Sequence, residues 1–127
     1  MERAVEVFAV IHLGIVGLSH LTRPRAWADF FMGLHARGHA GVFVHGFLSL
    51  GFGSVVVAFH NVWSGPPAVL TVVGCLYLVK AGFCFLVPET QMRTLGRVSH
   101  ERTRELRLAG VVFVALAGFL ANSLWLA

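Results

Sequence analysis

Four long apolar segments dominate the sequence and constrain its fold more than any other feature. They cover residues 4–21, 40–63, 67–87 and 108–126. A helix of about 20 residues, rising about 1.5 Å per residue, crosses the roughly 30 Å hydrocarbon core of a bilayer. Because lipid offers no hydrogen-bond partners, each segment must pair its own backbone groups and therefore forms a helix. We expect an all-α transmembrane four-helix bundle, with residues 1–127 forming a single integral membrane domain.

The composition favours a membrane protein over a soluble domain. Hydrophobic residues make up 57% of the 127 residues and charged residues 13%, whereas soluble domains average about 45–50% and 25%. The net charge of +4 does not indicate nucleic-acid binding, because the arginines lie in two connections and not on one folded face. We therefore expect the chain to contact a lipid bilayer and not nucleic acid.

The arginines also predict an orientation. Eight of them lie in the connections 22–39 and 88–107, and one, Arg3, lies at the N-terminus. Because positively charged loops stay in the cytoplasm, both connections are predicted to be cytoplasmic. Both termini and the Ser64-Gly65-Pro66 hairpin are then outside, and the expected location is the cytoplasmic (inner) membrane.

The first connection has the pattern of an amphipathic helix. Trp27, Phe30, Phe31 and Leu34 follow the spacing i, i+3, i+4, i+7, which places them on one helix face. We expect this helix to lie in the membrane interface, with its aromatic side chains in lipid. Two further tryptophans, Trp63 and Trp125, end spans at the opposite interface and are expected to anchor them there.

The two halves of the chain share a layout. Each has a span, an exit that contains a proline (Pro24 or Pro88), a basic connection and a second span. The returning spans open with similar residues, Ala40-Gly41-Val42 and Ala109-Gly110-Val111. This predicts a parallel repeat, with a chance match of short apolar strings as the alternative.

Small residues recur in the spans, where they let helices approach closely in lipid. The positions singled out are Gly14 and Gly17 in the first span, Gly46, Ser49 and Gly53 in the second, and Gly118 and Ala121 in the fourth. These residues either pack the bundle internally or form a face for another membrane protein or a second copy of the chain.

The sequence has seven histidines. His35 and His39 have the i, i+4 spacing that puts two imidazoles on one helix face, as in zinc sites; the alternative is contact with headgroups and water. His45 follows Gly41 by one turn, which would leave room for a flat haem or chlorophyll-type macrocycle. His20 or His12 would then supply a second ligand, and the alternative is ordinary packing of these histidines.

Lys80 is the only charge well inside a span. Intramembrane charges are candidates for a functional role. Because the residue lies in the half of its span nearer the basic connection, its long side chain could instead reach toward the headgroups.

One region resembles a known family. The residues His60-Asn61-Val62-Trp63, followed by Gly74 and Lys80-Ala81-Gly82, are similar to small uncharacterised bacterial integral membrane proteins with four spans. These proteins share a His-Asn-x-Trp hairpin and a glycine-containing span that ends in a Lys-Gly-like pair; here Ala81 separates the two. The resemblance implies a four-helix fold in a bacterial inner membrane and no known activity.

The sequence contains no arrangement of residues typical of a catalytic site, and we expect no enzymatic activity. The first hypothesis is an accessory or scaffolding subunit that packs against other membrane proteins. The second is a histidine-ligated tetrapyrrole-binding subunit, and the third is a small transporter or channel that uses Lys80.

Overall fold

A computed structural model describes residues 1–126 as an all-helical chain. The elements, in order, are α1 (Glu2–Thr22), α2 (Pro24–Ala36), α3 (His39–Phe59), α4 (Ala68–Leu86), α5 (Pro88–Leu95), a 3-10 turn at His100–Arg102, and α6 (Thr103–Trp125). Helices α1, α3, α4 and α6 are long and apolar enough to cross a membrane. The predicted fold class is confirmed; the last residue of the expected domain, Ala127, lies outside the described residues.

Two of the predicted span boundaries differ from the helix ends by more than two residues. Helix α3 ends at Phe59 and not at Trp63, because the Thr71 hydroxyl bonds the backbone beyond it. That hydroxyl donates to the His60 carbonyl oxygen and accepts from the Val62 N–H. Helix α6 begins at Thr103, before the apolar segment that starts at residue 108, because the polar residues between these two positions are also helical.

The chain contains two repeats, and corresponding residues of the two are 64 positions apart. The first helices of the two halves end at Thr22 and Leu86, the short helices begin at Pro24 and Pro88, and the last helices begin at His39 and Thr103. Arg23 and Val87, which precede the two prolines, have nearly the same backbone angles, with φ −132°, ψ 52° and φ −135°, ψ 64°. Pro24 and Pro88 occupy the first turn of the two short helices, where a backbone N–H has no partner within the helix.

Packing follows the same repeat, because the first span of each half packs most extensively on the last span of the other. A Cβ atom added at Gly46 would lie 2.8 Å from the Cys84 Cβ, and one added at Gly110 would lie 2.9 Å from the His20 Cβ. Gly110 lies 64 positions after Gly46, and Cys84 lies 64 positions after His20. The predicted repeat is therefore supported, but its register is corrected: Gly46, and not Gly41, is the counterpart of Gly110.

Most of the small residues pack inside the bundle. A Cβ atom at Gly17 would meet Phe113 and Val114 of α6, and one at Gly53 would meet the backbone of α4. Gly14 packs near Ala117 at 3.8 Å. By contrast, Gly118 faces open space, and Ala121 is half-buried.

Two buried apolar clusters hold the helices together. The larger one joins the four long helices and includes Leu13, Phe52, Val56, Leu70 and Leu120. The smaller one, of Leu34, Val42, Cys84 and Leu95, fixes α2 and α5 to the spans. We call the end that carries α2, α5 and the 3-10 turn the basic end, and the opposite end the hairpin end.

Candidate functional site

Helix α2 covers the basic end of the bundle. Its Ala28 and Leu34 side chains are buried, and the Trp27 ring stacks on His20 with centroids 4.1 Å apart. The aromatic face therefore turns largely toward the bundle, which differs from the predicted placement in lipid. The spans leave a recess at this end, and burial of apolar area there stabilises α2 against them.

Polar contacts fix the position of α2. The Trp27 indole N–H donates to the Ser19 hydroxyl oxygen at 2.8 Å. On the outer face of α2, the Asp29 carboxylate lies 2.5 Å from Nε2 of His100, and the Arg25 guanidinium lies 3.4 Å from Nδ1 of the same ring. These contacts connect α2 to the chain segment just before α6.

A cavity of about 290 Å³ lies under α2, among the spans. We call it the central cavity. Its polar lining residues are His12, His20, His45, Ser49, Tyr77 and Lys80, and its aromatic ones include Trp27, Phe30, Phe31, Phe52 and Phe113. A cavity with convergent polar groups in apolar walls is the usual form of a small-molecule site. Its volume corresponds to about ten water molecules at about 30 Å³ each.

Lys80 is the cation of the central cavity. It is the sole lysine of the sequence, and its neighbour Tyr77 is the sole tyrosine. The ammonium nitrogen lies 6.0 Å from the centre of the Tyr77 ring, near the outer limit of a cation–π contact. Within residues 1–126, no carboxylate oxygen lies at ion-pairing distance from it. An unpaired charge in an apolar setting is costly.

The histidines add hydrogen-bonding capacity to the cavity. Nδ1 of His20 lies 2.8 Å from the Val16 carbonyl oxygen. Since a carbonyl oxygen only accepts, Nδ1 carries the proton and the other ring nitrogen is left for a ligand. The His45 ring is buried and meets the edge of Phe31 at a centroid distance of 5.6 Å.

The structure brings His12, His20 and His45 to one cavity, as the tetrapyrrole hypothesis requires. The space beside Gly41, which the hypothesis assigned to the macrocycle, is however already filled. A Cβ atom at Gly41 would collide with the Leu34 carbonyl group. The backbone of α2 therefore occupies the space that a flat macrocycle was expected to use. Gly41 serves the close approach of α2 to α3.

The proposed metal pair does not form on one helix. His35 lies in the last turn of α2 and His39 begins α3, because Gly38 breaks the helix between them with φ +63°. In the part of the chain described, no three His, Cys, Asp or Glu side chains come together to hold a metal ion. The i, i+4 prediction is wrong here because a left-handed glycine separates the two residues.

A second polar cluster lies buried at the hairpin end. Glu6 is 7% exposed and His60 is fully buried, and their side chains are 3.2 Å apart. Nδ1 of His60 lies 3.0 Å from the Thr71 hydroxyl oxygen, which itself donates to the His60 carbonyl oxygen. The distance between Glu6 and His60 suits an ion pair, although the angle at Nε2 is not that of a hydrogen bond.

This cluster was not predicted, because Glu6 near the end of a span resembles a carboxylate in contact with water. Only the packing of α1 against the residues after α3 buries it. The two expected anchors at the same end, Trp63 and Trp125, are exposed. The Trp63 indole N–H donates to the Asn61 side-chain oxygen, which steadies the turn between α3 and α4.

Comparison of the chain with known protein families, with curated proteins and with solved structures found no match.

Proposed function

We propose that this protein is a membrane-embedded, non-catalytic binding protein for a small organic anion. The observation that carries the proposal is Lys80, which lines the central cavity with no carboxylate nearby among the described residues. A carboxylate in the cavity would pair with the ammonium group and gain a charge-assisted hydrogen bond. Tyr77 and His45 offer further polar contacts to its head group.

The cavity walls indicate the rest of the ligand. Six aromatic side chains, including Tyr77, face a space of about 290 Å³, which suits a flat apolar body through stacked and edge-on contacts. The volume suits a ring and head group of the order of ten non-hydrogen atoms, given about 30 Å³ for each water molecule. An aromatic monocarboxylate of the size of benzoate meets both conditions.

The test is binding of benzoate to the protein in detergent or nanodiscs. A variant with Trp63→Phe and Trp125→Phe leaves Trp27 in the cavity wall as the only tryptophan. Benzoate should change its fluorescence saturably, whereas benzyl alcohol and benzylammonium, of similar shape, should not. Lys80→Met should weaken benzoate binding roughly tenfold to a hundredfold, since charge-assisted bonds contribute about 1.5–3 kcal/mol.

The matched control is Val16→Met, because Val16 holds the position of Lys80 in the other half and also lines the cavity. This variant adds bulk without removing a charge, so its benzoate affinity should stay closer to that of the parent. Equal binding of the anion and the alcohol, or unchanged binding in Lys80→Met, would reject the proposal.

The proposal includes a placement in the membrane. The bundle surface is apolar, with Phe47 64% and Leu76 63% exposed, which suits lipid contact. All arginines of the two connections are exposed at the basic end, so that end is proposed to face the cytoplasm of a bacterial cell, across its inner membrane. The central cavity then lies in the cytoplasmic half of the bilayer.

A second candidate is the accessory subunit. The observation in its favour is that Gly51 and Gly118 leave open space on the outer surface of α3 and α6, where another helix could approach closely. The partner would be another membrane protein or a second copy of this chain. Gly118→Leu should release such a partner during purification while the monomer stays folded; an unchanged assembly state in Gly118→Leu and Gly51→Leu would reject it.

A further inference from the structure

Three cavities follow one another under α2. A lateral groove of about 310 Å³, lined by Ser19, Ala26, Trp27 and Phe30, shares its last two residues with the central cavity. A smaller cavity of about 170 Å³, which we call the loop-side cavity, shares Phe31, His45 and Lys80 with the central cavity. The lateral groove and the loop-side cavity therefore each adjoin the central cavity at these shared residues.

The two outer spaces open onto different surroundings. On α1, the outward residues before Ser19 are apolar and exposed, with Ile15 at 65% and Leu18 at 54%. The loop-side cavity instead contains Gln91 and Thr94 of α5, and the exposed Arg93 lies between them in sequence. One opening therefore meets an apolar surface, and the other meets a polar, basic one.

We propose that the three cavities form a passage, through which a small amphipathic carboxylate moves between the lipid phase and the aqueous phase at the basic end. This inference rests on the proposed anion-binding function and adds a transfer step to it. The apolar body enters past Trp27 and Phe30, and the carboxylate reaches Lys80 and His45 at the junction with the loop-side cavity. Exposed arginines beside that cavity attract the anion from water.

The order of groups along the passage matches this direction of travel. Aromatic rings come first from the lipid side, the single cation lies in the middle, and amide and hydroxyl groups follow on the water side. An amphipathic acid moving from lipid to water therefore meets aromatic side chains first and the Lys80 ammonium group next, before it reaches Gln91 and Thr94. Rings at both junctions turn about one or two side-chain bonds, so the ligand can pass while the helices stay packed.

The test blocks each opening separately. Ala26→Phe narrows the lateral groove and Thr94→Phe narrows the loop-side cavity; both residues are exposed on short helices. Ala36→Phe and Glu89→Phe, at exposed positions on the same two helices and outside these cavities, are the matched controls. Each variant also carries Trp63→Phe and Trp125→Phe, so that stopped-flow fluorescence of Trp27 follows benzoate added in water and 4-butylbenzoate preloaded in nanodisc lipid.

Thr94→Phe should slow association of benzoate from water by one to three decades, the usual range among variants of one site. Ala26→Phe should slow association of butylbenzoate from lipid by a similar factor. In both variants, the equilibrium affinity should stay unchanged, because blocking a route slows association and dissociation alike. The control variants should bind at parental rates.

Unaltered rates with intact affinity, or one variant that slows both sources equally, would overturn the passage and leave the binding function in place. Absence of any binding by the parent protein would overturn the proposed function as well. Blocking variants that lose affinity along with rate would show that the two outer cavities belong to the binding site itself, which also contradicts a passage.

Discussion

At the scale of single residues, Lys80 differs from the other basic residues in its surroundings. The nine arginines are all exposed, whereas Lys80 is half-buried on the wall of two cavities. Its counterpart in the first half is Val16, so the repeat does not require a cation there. The helix packing that the two halves share therefore does not require a lysine at this position.

Glu6 and His60 carry the second prediction at this scale. His60→Leu leaves the buried Glu6 carboxylate without its partner, and breaking a buried pair costs about 3–5 kcal/mol. The double variant Glu6→Leu/His60→Leu should lose less than the sum of the two single losses, because the leftover charge is gone. Unfolding in mixed detergent micelles measures both effects.

The control for this pair is Glu2→Leu, since Glu2 is exposed one turn earlier on the same helix. Its effect should stay within about 0.5 kcal/mol, as for most surface changes. Additive losses in the double variant would show that Glu6 and His60 do not interact.

At the scale of helices, glycine position decides which faces meet. Gly53→Leu places a side chain 3.0 Å from both the Gly74 carbonyl oxygen and the Leu78 backbone nitrogen. Backbone atoms cannot turn aside, so overpacking should lower the free energy of unfolding by about 1–3 kcal/mol or more. Gly51→Leu on the same helix meets open space and should leave the stability of the monomer unchanged or raised. Equal stability of the two variants would contradict the packing of α3 on α4.

The sequence predicted the four spans because their hydropathy and length depend on local composition alone. It also predicted the α2 helix from the spacing of Trp27, Phe30, Phe31 and Leu34. It did not predict where that helix lies, because the same aromatic face can be buried equally well in lipid or on a bundle. Only the tertiary arrangement, with Leu34 against Gly41 and Trp27 on His20, distinguishes the two.

The site was partly predictable for a related reason. His12, His20, His45 and Lys80 were singled out as candidate ligands or a functional charge, and all four line the central cavity. Ser49, which was predicted only as a small packing residue, lines it as well. Their meeting was not evident, because it depends on which spans are neighbours. Helices α1 and α6 pair, as do α3 and α4, and the cavity forms between the two pairs.

At the scale of the whole molecule, the two repeats form a nearly symmetric frame of helices around the central cavity, but the residues that line the cavity are not symmetric. Positions that correspond in the two halves hold Lys80 and Val16, Ser49 and Phe113, and His20 and Cys84, and all of these except Cys84 line the cavity. A frame of this kind supplies equivalent helix packing on both sides. Polar lining residues from each half, such as Ser49 and Lys80, then have apolar counterparts in the other half, Phe113 and Val16.

The orientation of this frame is the prediction at the same scale. A reporter joined after Ala127, the residue beyond the described part, should be outside the cytoplasm because all loop arginines lie at the opposite end. An alkaline-phosphatase fusion there should be active and a green-fluorescent fusion dark. A reporter inserted at Gly96, between α5 and the 3-10 turn, should give the reverse pattern. An inactive phosphatase fusion and a fluorescent green-fluorescent fusion at the C-terminus would contradict this orientation and place the basic end outside the cytoplasm.

The most direct measurement of the central claim observes Lys80 itself. Reductive methylation with ¹³C-formaldehyde labels only amines and keeps their charge, so the protein carries two signals, one from Lys80 and one from the amino terminus. Benzoate should shift the Lys80 resonance saturably and leave the terminal signal in place, while benzyl alcohol and benzylammonium leave both unchanged. A Lys80 resonance that benzoate does not move, or that the cation moves equally, would contradict an anion site in the central cavity.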